Sequence, residues 1–430
     1  MAELNDTDAP DVVDVAIIGG GIVGLGIAWA VANSGRSVLI IDPEPGSGAT
    51  AAAAGMLAPV SEMHYQEEHL LSLMLASARL YPKFIDSLGV DHESLGYQRT
   101  TTISVGADSA DRRALADLHR AQLDARLVVE SLTIREARAY EPLLSPQISG
   151  AFLAPSDHQV DPRKLAENLR QAIAARSLEW GWPHPGELRQ RAVGLLHEHE
   201  GDAESRVTGV ILATGARVGA REVIVANALG AAELGGLPEW LVLPLRPVFG
   251  DILRLRVPER LRPLLTCTLR GVVNGVPIYL VPRVDGTLVI GASQREDGSS
   301  AVSAGSVWQL LRDAQVLLPA VAELELVEVI ARARPGTPDN APLLGRVTRR
   351  VTRSGSGHIP GLIIATGFFR HGVLLTPIAA DHCLRLIDGT ADSRWSLFRP
   401  DRFSTLTAQH PAQHPAQDPA QYPTAEEAHS

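Results

Sequence analysis

The run GGGIVG, residues 19–24, restricts the chain more than any other feature. It sits inside VAIIGGGIVGLGIAWAVA, eighteen residues without a charge. A stretch of roughly 18 or more apolar residues is long enough to cross a bilayer. Interior glycines oppose that reading, since each costs a helix roughly 1 kcal/mol against alanine. The acidic start MAELNDTDAPDVVD also lacks the positive flank of a secretory signal and reads as a loose arm. At a strand-to-helix turn the same glycines are useful. Gly19 permits the tight turn, Gly21 lets backbone approach a pyrophosphate, and Gly24 lets helix and strand pack closely. VVDVAIIG supplies the strand, and a helix is expected from about Ile22 to Asn33 with Gly35 just past its end. A second strand, SVLII, ends at Asp42, eighteen residues after Gly24. That interval suits a carboxylate that accepts bonds from ribose hydroxyls, and its charge disfavours a 2′-phosphate. A dinucleotide site is therefore expected, in a cytoplasmic protein without a membrane span.

The totals exclude several classes. A net charge of −10 disfavours nucleic acid as a partner. Cys267 and Cys383 lie far apart without a companion motif, which argues against a disulfide framework. No metal site is expected. HEHE, residues 197–200, puts both histidines on one strand face with no third ligand. HPAQHPAQDPAQYP, residues 410–423, repeats every four residues without a hydrophobic face, so 405–430 reads as a disordered tail.

Glycine-bounded small residues fill 46–62, GSGATAAAAGMLAPVSE. Such a loop lets backbone lie against a flat ring, and Thr50 offers a hydroxyl to phosphate. GLIIATG then reads as a buried strand and GVLLTPIAADHCLRLI as a helix from near Gly372, whose N-terminus carries about half a positive charge. In LVEVIARARPG, alternation puts Val327, Val329, Ala331 and Ala333 on one face and Glu328, Ile330, Arg332 and Arg334 on the other. An arginine at a strand's end can hold a carboxylate with two parallel N–H bonds. VPIYLVPRVDGTLVIGAS reads as a hairpin turning at Asp285-Gly286.

GATAAAAGMLAP resembles the signature loop of the glycine oxidase family, within the D-amino acid oxidase group of flavoproteins. ARARPGTPDNAPLLG resembles that family's Arg-Pro-Gly-Thr-x-Asp segment, and residues 361–389 resemble its C-terminal strand-loop-helix. The likeness covers about 14–398. It implies an α/β fold: a Rossmann-like FAD-binding domain of glutathione-reductase type plus a substrate domain with a mixed or antiparallel sheet. The expected division is 12–85, 146–235 and 332–398 for the first, discontinuous domain, and 86–145 and 236–331 for the second.

By the same resemblance the cofactor is FAD. It is expected to be non-covalent, because no cysteine lies near Arg334 or the alanine-rich loop, whereas related sarcosine oxidases use one. The residues expected to hold it are Gly19, Gly21, Ile22, Val23, Gly24, Asp42, Pro43, Ala49, Thr50, Ala54, Gly55, Met56, Val193, Phe368, Phe369, Arg370, His371, Gly372, Val373 and Leu374. Family members carry His-Phe-Arg-Asn-Gly where this chain has Phe368, Phe369, Arg370, His371 and Gly372. They carry glycine where it has Arg332. The resemblance further implies that Arg334 binds the substrate carboxylate, that Tyr279 lines its pocket, that Gln294, where the family often has a larger apolar residue, is a candidate pocket wall, and that Arg370 touches the substrate or stays with the cofactor loop.

The reaction so implied is oxidative deamination of glycine, sarcosine or a small D-amino acid by hydride transfer, with oxygen as acceptor, peroxide and an imine as products, and thiamine thiazole synthesis as the pathway. Positioning carries most of the rate, so no residue is expected to act as acid or base. Two other readings remain open: a dehydrogenase using a non-oxygen acceptor, and a non-catalytic FAD-binding protein. A homo-oligomer is also left open.

Overall fold

The computed structural model describes residues 12–349 and 357–404. Residues 1–11 of the N-terminal arm and the Pro/Gln/His-rich tail lie outside the described residues, whereas Val13 and Asp14, read with that arm, open the strand Val13–Ile18. Two eight-stranded sheets organise the chain. In the first, the order is Leu343–Thr348, His358–Thr366, Arg217–Val225, Val13–Ile18, Val38–Ile41 and Glu187–Leu188. The last five run parallel, and Leu343–Thr348 joins antiparallel. Ala192–His197 and Val207–Leu212 extend this sheet as an antiparallel ribbon on Arg217–Val225.

Parallel strands buried on both faces need apolar crossovers, and the sequence supplies them. Helix Ile22–Asn33 connects the first two strands and is apolar nearly all round, with ten of its twelve residues buried. It is enclosed by helices Gly372–Ile387 and Pro162–Glu179 as well as by the sheet. The uncharged run is thus an interior helix, and no described helix is long and apolar enough to cross a membrane. The turn before it needs glycine twice. Gly19 has φ +111°, and a Cβ on Gly24 would stand 2.0 Å from the Gly19 carbonyl oxygen.

The second sheet is mixed. Its order is Glu325–Gly336, Arg246–Arg256, Thr287–Gly291, Val276–Pro282, Thr268–Val273, Thr102–Gly106, Gly150–Ala154 and Glu130–Leu132. Every neighbouring pair is antiparallel except Thr268–Val273 with Thr102–Gly106. One expectation needs correction. Gly150–Ala154, placed by sequence with the cofactor domain, pairs inside this second sheet. Alternation identifies a strand but not the edge it joins. Cys267 and Cys383 are both buried and free.

The two sheets meet along the alanine-rich segment. Arg283, buried on the second sheet, donates to the carbonyls of Ala54 and Val160. Arg163 and Arg254 both donate to the Ala51 carbonyl. Arg163 and Arg254 thereby satisfy a carbonyl that the short helix Ala49–Ala52 leaves open.

Candidate active site

Between the sheets lies a cavity of about 430 Å³, within the usual range of ligand sites. Its walls carry most of the residues named from sequence: Gly19, Gly21, Ile22, Val23, Asp42, Ala49, Thr50, Ala54, Gly55, Met56, Phe368, Phe369, Arg370, Gly372 and Val373 on one side, and Tyr279, Gln294, Arg332 and Arg334 on the other.

The first side forms an extended cradle. Gly21, at the start of helix Ile22–Asn33, has no side chain to cap it, and the Thr50 hydroxyl accepts from Ile22 N–H at 2.9 Å. Thr50 therefore keeps its own proton for an anion at the helix start, where N–H groups already favour one. Asp42 accepts from Gly20 N–H at 2.7 Å and from Glu44 N–H at 2.8 Å. Each oxygen retains a lone pair for ribose hydroxyls. At the far end Phe369 adopts φ +46°, which turns the strand His358–Thr366 into the helix starting at Gly372. These residues fit a dinucleotide: bare backbone for the diphosphate, an acid for the ribose, small side chains beside a flat ring, and a helix start for its electron-accepting edge.

Five expected cofactor residues lie outside the walls. Gly24 serves helix packing, as its close approach to Gly19 shows. Pro43 is exposed, and Leu374 is buried with its carbonyl accepting from Ser77 at 2.6 Å. Val193 is 42% exposed on the antiparallel ribbon, where its carbonyl accepts from Gly235 N–H. Nothing in the local pattern of that strand indicates how far the ribbon holds it from the cradle. His371 is buried, and its Nδ1 stands 3.5 Å from Glu62. The HEHE reading also changes, since His197 ends its strand and His199 lies in the following turn. No metal-binding cluster occurs among the described residues.

The cavity is also rich in charge. Arg270 pairs with Glu62 at 3.0 Å, and Arg370 pairs with Glu67 at 2.5 Å. Asn340 also donates to Glu67 at 3.0 Å. Arg334 differs from these two arginines. Its Nη1 donates to the Ser293 carbonyl at 3.3 Å, and no carboxylate pairs with it among the described residues. Tyr279 lies beside it. Burial raises the phenol's pKa, with Glu62 adding to the rise and Arg334 and Arg270 opposing it, so Tyr279 stays protonated as a donor. Arg332 lines the cavity nearer its mouth, exposed, with Nε donating to the Ser47 carbonyl at 3.0 Å.

Sequence reasoning missed Glu62, His64 and Arg270. A signal for Arg270 existed. Asn274-Gly275 is a two-residue hairpin turn with φ +52° and +78°. Its register places Arg270 directly opposite Tyr279. Glu62 carried no comparable local signal.

Burial raises the pKa of Glu62, but His371, Arg270 and Arg370 together outweigh it and hold the carboxyl at about 2, against an ordinary 4.5. The sign follows from linkage. A depressed folded-state pKa contributes stability above 4.5 that is lost as pH falls toward 2. Glu62→Gln should therefore be less stable than the parent at pH 7 by about 3 kcal/mol, counting about 1.36 kcal/mol per pKa unit. The gap should close between pH 4.5 and 2, which denaturant unfolding across that range will read.

A family model described as FAD dependent oxidoreductase matches residues 14–386. A glycine oxidase from Geobacillus kaustophilus (strain HTA426) is 33% identical over 378 residues, covering 85% of this chain and 90% of that protein. A bifunctional protein ThiO/ThiG from Synechocystis sp. (strain ATCC 27184 / PCC 6803 / Kazusa) is 31% identical over 399 residues, covering 92% of this chain and 54% of the relative. The chain spans about half the length of the bifunctional relatives it matches. Among solved structures, glycine oxidase from Geobacillus kaustophilus superposes with a TM-score of 0.76 at 30% identity, covering 91% of this chain and 98% of that one.

Proposed function

The chain belongs to the FAD-dependent oxidoreductase family, and on that premise we propose that it oxidises glycine or another small amino acid, such as sarcosine or a small D-amino acid, to its imine. The observation that carries this reading is that no carboxylate among the described residues pairs with Arg334. Of the arginines deep in the cavity, Arg270 and Arg370 each face a carboxylate, so their charge is spent within the protein. Among the described residues, Arg334 has a carbonyl and a phenol beside it and no carboxylate, an arrangement suited to an incoming carboxylate.

The residues then divide the work as follows. Gly19, Gly21, Thr50 and Asp42 would hold the dinucleotide part of FAD non-covalently, and Ala54, Gly55 and Met56 with Phe368, Phe369, Arg370, Gly372 and Val373 would flank its ring. Bound there, FAD supplies the two-electron acceptor. Arg334 anchors the carboxylate and Tyr279 donates to the same group, which fixes the direction of the Cα–H bond. Met56, Ile278 and Phe369 supply apolar wall. Orientation of this kind can replace a protein base, since a held reactant gains most of its rate from geometry. The imine is hydrolysed after release or passed on. A relative from Rhizobium etli is named a putative thiamine biosynthesis oxidoreductase, which supports thiazole assembly as the destination.

The purified protein should be yellow, and glycine or sarcosine added without air should bleach it. Admitting air should restore the colour and yield peroxide. Failure of a panel of small amine acids to bleach the flavin defeats the substrate reading. Bleaching that air does not reverse favours a dehydrogenase with another acceptor.

A further inference from the structure

The cavity floor beside Arg334 is bare backbone in two places. The guanidinium of Arg334 lies flat across Gly250 on the neighbouring strand Arg246–Arg256. A Cβ added there would stand 2.3 Å from both Nη1 and Nη2 and 2.5 Å from Cζ. Beyond Gly250, Nη1 reaches the Ser293 carbonyl at 3.3 Å. Tyr279 approaches from the opposite direction. It lies across Gly291, its cross-strand partner, where a Cβ would stand 2.4 Å from the hydroxyl oxygen and 2.5 Å from Cζ. The phenol and the guanidinium lie close enough above these two strands to interact electrostatically.

Neither glycine has a left-handed φ. Backbone conformation therefore gives alanine no penalty at either position, and glycine in a strand interior weakens the strand. What excludes a side chain is the polar group lying above. We infer that Gly250 and Gly291 are positioning residues: by leaving a trough in the sheet, they set the height and angle at which Arg334 and Tyr279 present their donors to a carboxylate. This rests on the role proposed above for Arg334.

The trough acts on the bound ligand rather than on folding. At Gly250 the displaced atoms are the far end of a flexible side chain, so an added methyl lifts the guanidinium without disturbing backbone. At Gly291 the displaced group is a stiffer ring, and Ile252 Cδ1 also lies 2.6 Å from the Cβ position. Gly250 is therefore the cleaner test.

Holoprotein carrying Gly250→Ala should keep its flavin content and its Tm. Glycolate, a carboxylate that lacks the amine, is titrated against the visible flavin spectrum. Its Kd should rise about tenfold or more, since displacements near 1 Å can cost up to roughly a hundredfold. KM for the amine substrate should rise more than kcat falls. In an Arg334→Leu background, the same Gly250→Ala change should have no further effect on glycolate. Parent-like glycolate affinity in Gly250→Ala overturns the inference. So does an equal loss in both backgrounds, which would assign the effect to the sheet at large. If Arg334→Leu alone leaves glycolate affinity intact, the carboxylate reading of Arg334 fails first, and the inference falls with it.

Discussion

Arg334→Leu is expected to lower kcat/KM for a small amino acid roughly 10²- to 10⁴-fold while the purified protein stays yellow. Two parallel charge-assisted bonds, at about 1.5–3 kcal/mol each, total about 3–6 kcal/mol, and about 1.4 kcal/mol corresponds to a tenfold change. The arginine sits on the second sheet, apart from the glycine turn, so its loss should leave the cofactor in place. Part of the effect should fall on kcat, because a carboxylate without its anchor no longer fixes the Cα–H direction. Leucine fills similar space without charge, which keeps the wall closed. Steady-state kinetics with a flavin-to-protein ratio will decide the matter. Parent-like turnover and affinity would remove Arg334 from substrate recognition.

The second large effect concerns the cofactor. Gly24→Val should yield protein that is largely colourless. A Cβ at this position would stand 2.0 Å from the Gly19 carbonyl oxygen, and that oxygen belongs to backbone in the turn itself. The clash is relieved only by moving helix Ile22–Asn33 away from the strand, which opens the cradle. Overpacking of this kind costs about 1–3 kcal/mol in stability, so Tm should fall together with flavin content. Gly305→Ala makes a suitable control. It lies in helix Ala304–Leu317, where an added Cβ meets nothing closer than 3.8 Å. That variant should bind flavin as the parent does. Full flavin content in Gly24→Val would mean that the turn tolerates rearrangement and that its geometry does not govern binding.

The two substitutions probe features that were unequally visible beforehand. The glycine turn was readable because its constraints are local. Gly19, Gly24 and Asp42 fall within a few turns of chain, and the φ of Gly19 and the approach of Gly24 to the Gly19 carbonyl are set inside the turn, while the Ala226 backbone closes on Gly19 from a distant strand. The same holds for helix Gly372–Ile387, announced by its own composition and found at the bounds expected. Alternation likewise put Arg332 and Arg334 on one strand face. It could not say that Arg334 would lie over Gly250 while Arg332 reached toward Ser47 at the mouth.

Sequence by itself determined the cradle: a strand, a glycine turn, an apolar helix and an acid, whose spacing alone dictates a dinucleotide-binding shape. Tertiary structure decided which cavity arginines are neutralised by a carboxylate and that Arg334, among the described residues, is not. Glu62 neutralises Arg270 across 208 residues of chain, and Glu67 neutralises Arg370 across 303. Gly150–Ala154 found its partners in the second sheet by the same long-range pairing. Sterics of the backbone act between neighbours and are written in short motifs. Charge compensation acts through space, and only folding sets the distances over which it operates.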